Sequence, residues 1–284
     1  MGGLRFLVLD GYARAGREEL GAGGMTSAGE LYRTMLEAHA PGCTVDIIYP
    51  ADPGAALPKG AAVAQYDGIA WTGSSLCVYK PGPEVTPQIE FAREAFAAGV
   101  PSYGSCWAAQ IAAIAAGGQV GPHPQGKEMM FARKIALTGR GQGHPFYLGK
   151  PSVFDGFISH DDEVTHLPPG GQLLAEGRYT RVQALSVEHL NGTFWAVQYH
   201  PEYDLYQMAR LIFCRKDKLV ELGFFADTTA ALIMVSRLET LHANPSRRDL
   251  AWELGLDEDI LDPGTRQREV RNWIDHLVIP NLRR

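Results

Sequence analysis

The sequence predicts an α/β protein: a mostly parallel central sheet flanked by helices, with a helical C-terminal extension. In the first half, short apolar, β-rich runs alternate with helical stretches, the rhythm of a parallel sheet covered on both faces. After Pro201 the strand pattern stops and helical periodicity runs on towards Arg284. The 284 residues are 45% hydrophobic and 20% charged, enough for one large domain, or a medium domain with an extension, around a substantial core.

Residues 4–9 read as the first strand, followed by a glycine-rich loop through Gly24. Residues 27–39 form a helix with Leu31, Met35 and Leu36 at helical spacing and Thr26 or Ser27 as its cap. Strands at 44–49 and 66–71 come next, then a helix at 87–98 that buries Ile89, Ala92, Phe96 and Ala97. A short strand at 100–103 leads to an alanine-rich helix at 107–116. Right-handed crossovers place the strand ends, and the site with them, along one edge. Strand candidates at 129–137, 156–159, 173–176, 182–188 and 193–198 lie between Gly/Pro turns and read as an antiparallel addition leading back to the main sheet. Helices are expected at 203–215, 228–242, 246–254 and 265–277. The organisation is therefore a domain at 1–215 with a helical extension, 216–284, packed on it. Trp252 and Trp273 read as packing anchors of that extension, and Arg247-Arg248 and Arg283-Arg284 as solvated charges.

The formal net charge of -6 argues against nucleic acid as a partner. Cys43, Cys77, Cys106 and Cys214 are widely spaced and include no C-x-x-C pair, so neither a zinc site nor a disulfide framework is expected. Phe6 stands where a myristoylation signal carries Ser or Thr, and the apolar run 6–9 is too short for a signal core or a membrane span. A cytoplasmic protein without membrane attachment is the expectation. Gly21-Ala22-Gly23-Gly24 lacks the Lys-Ser/Thr ending of a phosphate loop and reads as a flexible loop bordering the site.

The chemistry gathers in a few segments. A strand runs into Gly104-Ser105-Cys106 and directly into a helix, the context of a nucleophile elbow. Small neighbours permit the tight turn, and the helix N-terminus that faces the sulfur favours its anionic form. By position alone Cys106 fits a nucleophile and a buried structural cysteine equally. Another strand ends in His200-Pro201-Glu202, where Glu202 is close enough to orient the imidazole as a general base. Alone, these three residues also read as a plain turn. His160 and Asp162 would make a metal pair, but no further ligands stand at convincing spacing, so no metal or other cofactor is expected.

Together these segments resemble the class I (triad) glutamine amidotransferase family, in its stand-alone, GMP-synthase-like branch. The family's G-x-C-x-G-x-Q appears as Gly104-Ser105-Cys106-Trp107-Ala108-Ala109-Gln110, and its H-P-E as His200-Pro201-Glu202. Trp71-Thr72-Gly73-Ser74-Ser75 matches the oxyanion loop, Ser159-His160-Asp161-Asp162-Glu163-Val164 the S-H-x-D-x-V segment, and Gly126-Lys127-Glu128 a G-x-E stretch. The five matches occur in family order over residues 1–215. The resemblance implies a flavodoxin-like amidotransferase fold with Cys106, His200 and Glu202 as catalytic residues. It implies an oxyanion hole at Gly73, Ser74 and Trp107, and substrate binding by Gln110, Ser159, His160 and Asp162. The implied reaction is hydrolysis of the γ-amide of glutamine or a γ-glutamyl compound through a γ-glutamyl thioester. Alternatives are a glutaminase subunit that passes ammonia to a separate synthetase, and a catalytically weak binding module. A homo-oligomer is also compatible. Two departures bear on pocket width: Ala108 replaces the family's glycine, and Thr-Gly-Ser replaces Gly-Gly-Pro.

Overall fold

The computed structural model describes residues 3–282; Met1-Gly2 and the Arg283-Arg284 pair lie outside the described residues. The chain runs β1 (Arg5–Leu9), α1 (Arg14–Ala22), α2 (Ala28–His39), β2 (Thr44–Ile48), β3 (Gly68–Trp71), α3 (Thr86–Ala98), β4 (Ser102–Ser105) and α4 (Trp107–Ala115). It continues through β5 (Gln119–Pro122), β6 (Glu128–Leu137), the single turn α5 (Gly139–Gln142), β7 (Val153–His160) and β8 (Asp162–His166). Next come β9 (Gly171–Glu176), β10 (Ala184–His189) and β11 (Gly192–Val197). The C-terminal helices are α6 (Leu205–Glu221), α7 (Thr228–Ala243), α8 (Arg248–Leu254), α9 (Glu258–Leu261), α10 (Pro263–Arg266) and α11 (Arg268–Trp273).

One sheet holds nine strands in the order β2-β1-β3-β4-β11-β10-β9-β6-β7. Neighbours from β2 to β11 are parallel, and those from β11 to β7 antiparallel. The antiparallel addition thus continues the main sheet from β11, as its position in the sequence predicts. Register shifts in β6, between Ala132 and Ile135, and at β10 next to β9 interrupt the ladder, a feature that bends a sheet. The far strand β7 returns to the middle of the molecule, where Phe157 O accepts the His200 amide at 2.7 Å.

Along β1 the side chains alternate between two apolar layers with the period of two that a strand dictates. Leu7 and Leu9 pack with Trp71, Phe96 and the alanines of α4, and Phe6 and Val8 with Tyr32, Tyr103 and Trp273. A third cluster joins α6 and α7 to Phe157 and to Tyr12 and Leu20.

Four expectations need correction. Residues 14–22 are helical, where the sequence predicts a loop. No side chain caps α1, and tertiary contacts hold it: Arg17 donates to Tyr12 O and to Asp52 at 2.7 Å, and Leu20 is buried. Gly21-Ala22-Gly23-Gly24 is therefore the end of a helix, and Gly23 abuts Cys214 of α6. β5 and β8 form a small separate sheet that strand patterning misses. The helix expected at 265–277 is broken into α10, α11 and a π-helical turn at Ile274–Val278. Trp252 is 72% exposed and anchors nothing, whereas Trp273 is fully buried, 5.6 Å from both the Phe6 and Tyr103 rings.

Candidate active site

The ends of β4 and β11 build the centre of the site. These strands are adjacent and parallel, so the segments leaving their C-terminal ends emerge on the same side. Cys106 leaves β4 with its amide bonded to Val197 O of β11 at 2.7 Å, and α4 starts at the next residue. Its φ of 53° and ψ of -100° are a conformation that non-glycine residues rarely adopt. That turn is the elbow expected from Gly104-Ser105-Cys106. A Cβ on Gly104 would run into the Trp71 carbonyl and the Ala108 methyl, so only glycine fits there.

After β11, His200 is buried and stacks on Tyr203, with centroids 4.2 Å apart and planes 2° off parallel. Its Nδ1 lies 2.7 Å from Glu202 Oε1. The same carboxylate oxygen accepts the Ser105 hydroxyl at 2.8 Å, and Ser105 Oγ in turn accepts the Tyr32 hydroxyl at 2.8 Å. Burial disfavours charge on the imidazole. The Glu202 carboxylate, followed by Cys106, outweighs it and raises His200 to about 10. His200 Nε2 is buried without a hydrogen-bond partner among the described residues, while the Cys106 thiol donates to Ser159 O at 3.7 Å. Gly73 shows how closely these groups converge: a Cβ there would sit 3.0 Å from His200 Cε1 and 3.8 Å from Cys106 Cβ.

The loop after β3 is tied down from within. Gly11 N donates to Thr72 Oγ1 at 2.9 Å, and Ser74 Oγ donates to Gly11 O at 2.9 Å and accepts Leu76 N at 3.1 Å. The Ser74 hydroxyl is thus engaged in loop structure, which leaves backbone N–H groups as the donors this loop can offer to a ligand. Trp107, as the first residue of α4, has an N–H with no intrahelical acceptor. Its indole donates to Gln88 at 2.8 Å, fixing the start of the helix.

The remaining predicted residues line, together with Cys106, a cleft of about 680 Å³. Gln110 spends its amide N–H on Asp162 O at 3.0 Å. Both ring nitrogens of His160 have protein partners: Nδ1 meets Asp162 O at 3.0 Å, and Nε2 meets Glu128 at 3.1 Å and Thr180 at 3.1 Å. His160 therefore braces the wall, with Glu128 of the Gly126-Lys127-Glu128 segment behind it. The Asp162 carboxylate accepts the Tyr79 hydroxyl at 2.9 Å at the rim. Sequence reasoning misses three contributors. Tyr32 is concealed in the apolar stripe of α2, Ser105 reads merely as a small residue, and Arg215 of α6 donates to Ser159 Oγ at 3.2 Å.

The sequence model of the class I glutamine amidotransferases matches residues 38–216. The chain belongs to the class I glutamine amidotransferase family. Among curated relatives of this amidotransferase, a γ-glutamyl-L-1-hydroxyisopropylamide hydrolase of a Pseudomonas species is 36% identical over 99% of this chain and 95% of its own. The glutamine-hydrolysing GMP synthase of Thermomicrobium roseum is 33% identical, but over 48% of this chain and 23% of its own. A solved glutamine amidotransferase from Thermotoga maritima superposes with a TM-score of 0.67 at 16% identity, over 98% of this chain and 99% of that one, which shows a shared fold. Within this amidotransferase fold, Ala108 is accommodated because its methyl fills the space that Gly104 leaves free.

Proposed function

We propose that this enzyme hydrolyses γ-glutamyl amides through a γ-glutamyl thioester. The observation that carries the reading is the buried His200 imidazole, held by Glu202 beside Cys106, which lines the cleft. In the proposed reaction His200 already holds the Cys106 proton as the charged ring, and the sulfur bonds to the amide carbon as a thiolate. The oxyanion is held by backbone N–H groups at Gly73, Ser74 and Trp107. Breakdown of the tetrahedral adduct breaks the C–N bond, with His200 protonating the departing nitrogen. Water, deprotonated by His200, which is neutral once the amine has left, then attacks the thioester, releasing glutamate and restoring the thiolate beside the charged ring. Gln110, Ser159, His160 and Asp162 shape the wall on which the glutamyl group would lie.

The near full-length similarity to a γ-glutamyl amide hydrolase supports a free-standing hydrolase. The partial similarity to GMP synthases suggests a second reading, an ammonia supply for a separate synthetase. No described helix is long and apolar enough to cross a membrane, which fits the proposed cytoplasmic location. The test is glutamate release from glutamine and from γ-glutamyl alkylamides. Wild type is expected to turn over at least one class, and Cys106→Ala to lose about 10⁴-fold or more. Equal activity in the two proteins would remove the mechanism.

A further inference from the structure

The wall of the cleft opposite the sheet ends comes from α1 and α6, and it carries a cation that the proposed chemistry leaves unused. Arg215 lines the cleft from α6, half-buried, with a single hydrogen bond among the described residues, NH1 to the neutral Ser159 Oγ at 3.2 Å. Ser159 is also the residue whose carbonyl receives the Cys106 thiol, so the guanidinium stands within one residue's span of the nucleophile.

Removing a guanidinium from bulk water is costly unless a negative charge answers it. No carboxylate of the described residues makes an ion pair with Arg215; Glu19, exposed on the same wall, acts on it only at longer range, and the other nearby acids are engaged elsewhere. Asp161 pairs with Lys127 at 2.8 Å, and Asp162 accepts Tyr79. The other cations of the lining differ: Lys218 pairs with Glu221 at 3.1 Å, and Lys80 is exposed at the rim. None of the Arg215 nitrogens is among the sealed, unpartnered polar atoms, so the donors left free by Ser159 keep access to the cleft.

We infer that Arg215 binds a carboxylate of the substrate. The inference rests on the proposed γ-glutamyl hydrolysis and deepens it, because it says what the enzyme reads besides the scissile amide. A planar guanidinium with free N–H groups suits a carboxylate, and Ser159 fixes its orientation before the substrate arrives. Such a carboxylate has two sources. It is the α-carboxylate of the glutamyl group, or it belongs to an amino acid that leaves as the amine.

Three substrates separate these sources: γ-glutamylethylamide, with an α-carboxylate alone; γ-glutamylglycine, with a second carboxylate on the leaving side; and the α-amide of γ-glutamylethylamide. In Arg215→Met, kcat/KM is expected to fall about 10- to 100-fold, chiefly through KM, with Arg215→Lys partly restoring it. If the α-carboxylate is the ligand, the loss extends to both acids and the α-amide is poorly used by wild type and mutant alike. If the leaving group supplies the ligand, the loss is confined to γ-glutamylglycine. Calorimetric binding of L-glutamate and of γ-glutamylglycine to Cys106→Ala, with and without Arg215→Met, gives a readout free of turnover. An active wild type whose KM and binding are unchanged by Arg215→Met would overturn the Arg215 assignment alone. A wild type that neither hydrolyses nor binds any of these compounds would overturn the hydrolase reading as well.

Discussion

The imidazole of His200 sits in a place that ought to keep it neutral, and its neighbours keep it charged. Glu202 accomplishes this with one oxygen, which also receives the Ser105 hydroxyl, itself oriented by Tyr32. If hydrolysis proceeds as proposed, the charged ring protonates the departing nitrogen, so activity should hold into alkaline pH and fall as pH passes about 10. Glu202→Gln removes the charge that raises His200. The alkaline limb of kcat is expected to move down towards the ordinary histidine range near 6.5, with a loss of about 10²-fold at the optimum. A pH–rate profile of the two proteins checks this, and an unmoved limb would dissociate Glu202 from the titration. The positions of Cys106 and His200 at strand ends are legible locally, but their pairing is read only from the ordered family motifs. Tyr32, Ser105 and Arg215 are not, since their partners lie 73, 97 and 56 positions away.

At the scale of elements, the joint between β4 and α4 decides whether the cysteine is presented at all. Gly104 is held by close approach to the Trp71 carbonyl and the Ala108 methyl, whereas Ala108 is a helix residue with a fitted side chain. Gly104→Ala is therefore expected to destabilise the protein by about 3 kcal/mol and to abolish turnover, because backbone on both sides must shift. Ala108→Gly restores the glycine of the family's motif. It should cost about 1 kcal/mol of helix stability while leaving kcat within a few-fold. Thermal melts and turnover on one substrate separate the two cases. Local rules reach this joint well but fail at α1, which has two interior glycines and no cap, and is set by Asp52 and α6. They fail again at β8. There Asp162–His166 reads as a binding segment, and its pairing with β5 depends on a partner some forty residues upstream.

On the scale of the molecule, the C-terminal helices hold the sheet and the His200 turn together. Trp273 seals one face against Phe6 and Tyr103, while Arg266 donates to Pro201 O at 3.3 Å. Glu269 accepts the Tyr199 hydroxyl and forms a buried pair with Lys150 at 3.0 Å. Trp273→Ala should cost about 3–5 kcal/mol, enough to lower the melting temperature by several degrees and to loosen the turn that carries His200. Trp252→Ser, on the exposed face of α8, should change stability by no more than about 0.5 kcal/mol. Comparable losses would contradict this division of roles. Helical periodicity identifies both tryptophans as helix residues but cannot say which face finds a partner. The α/β class and the change to antiparallel pairing are legible because both follow from short-range patterning.

The return of β7 to the His200 amide makes this strand both an edge and a clasp. Strands β11, β10, β9, β6 and β7 are joined in a ring, closed where Phe157 takes the hydrogen of His200. A change in any of the hairpins around that ring is expected to reach His200, beside Cys106. The apolar face of α6 packs on Phe157 itself, whereas Asp217 and Lys218 on its cleft side lie outside the ring. A substitution at Lys218 is thus expected to leave the His200 turn undisturbed, and one at Phe157 to disturb it.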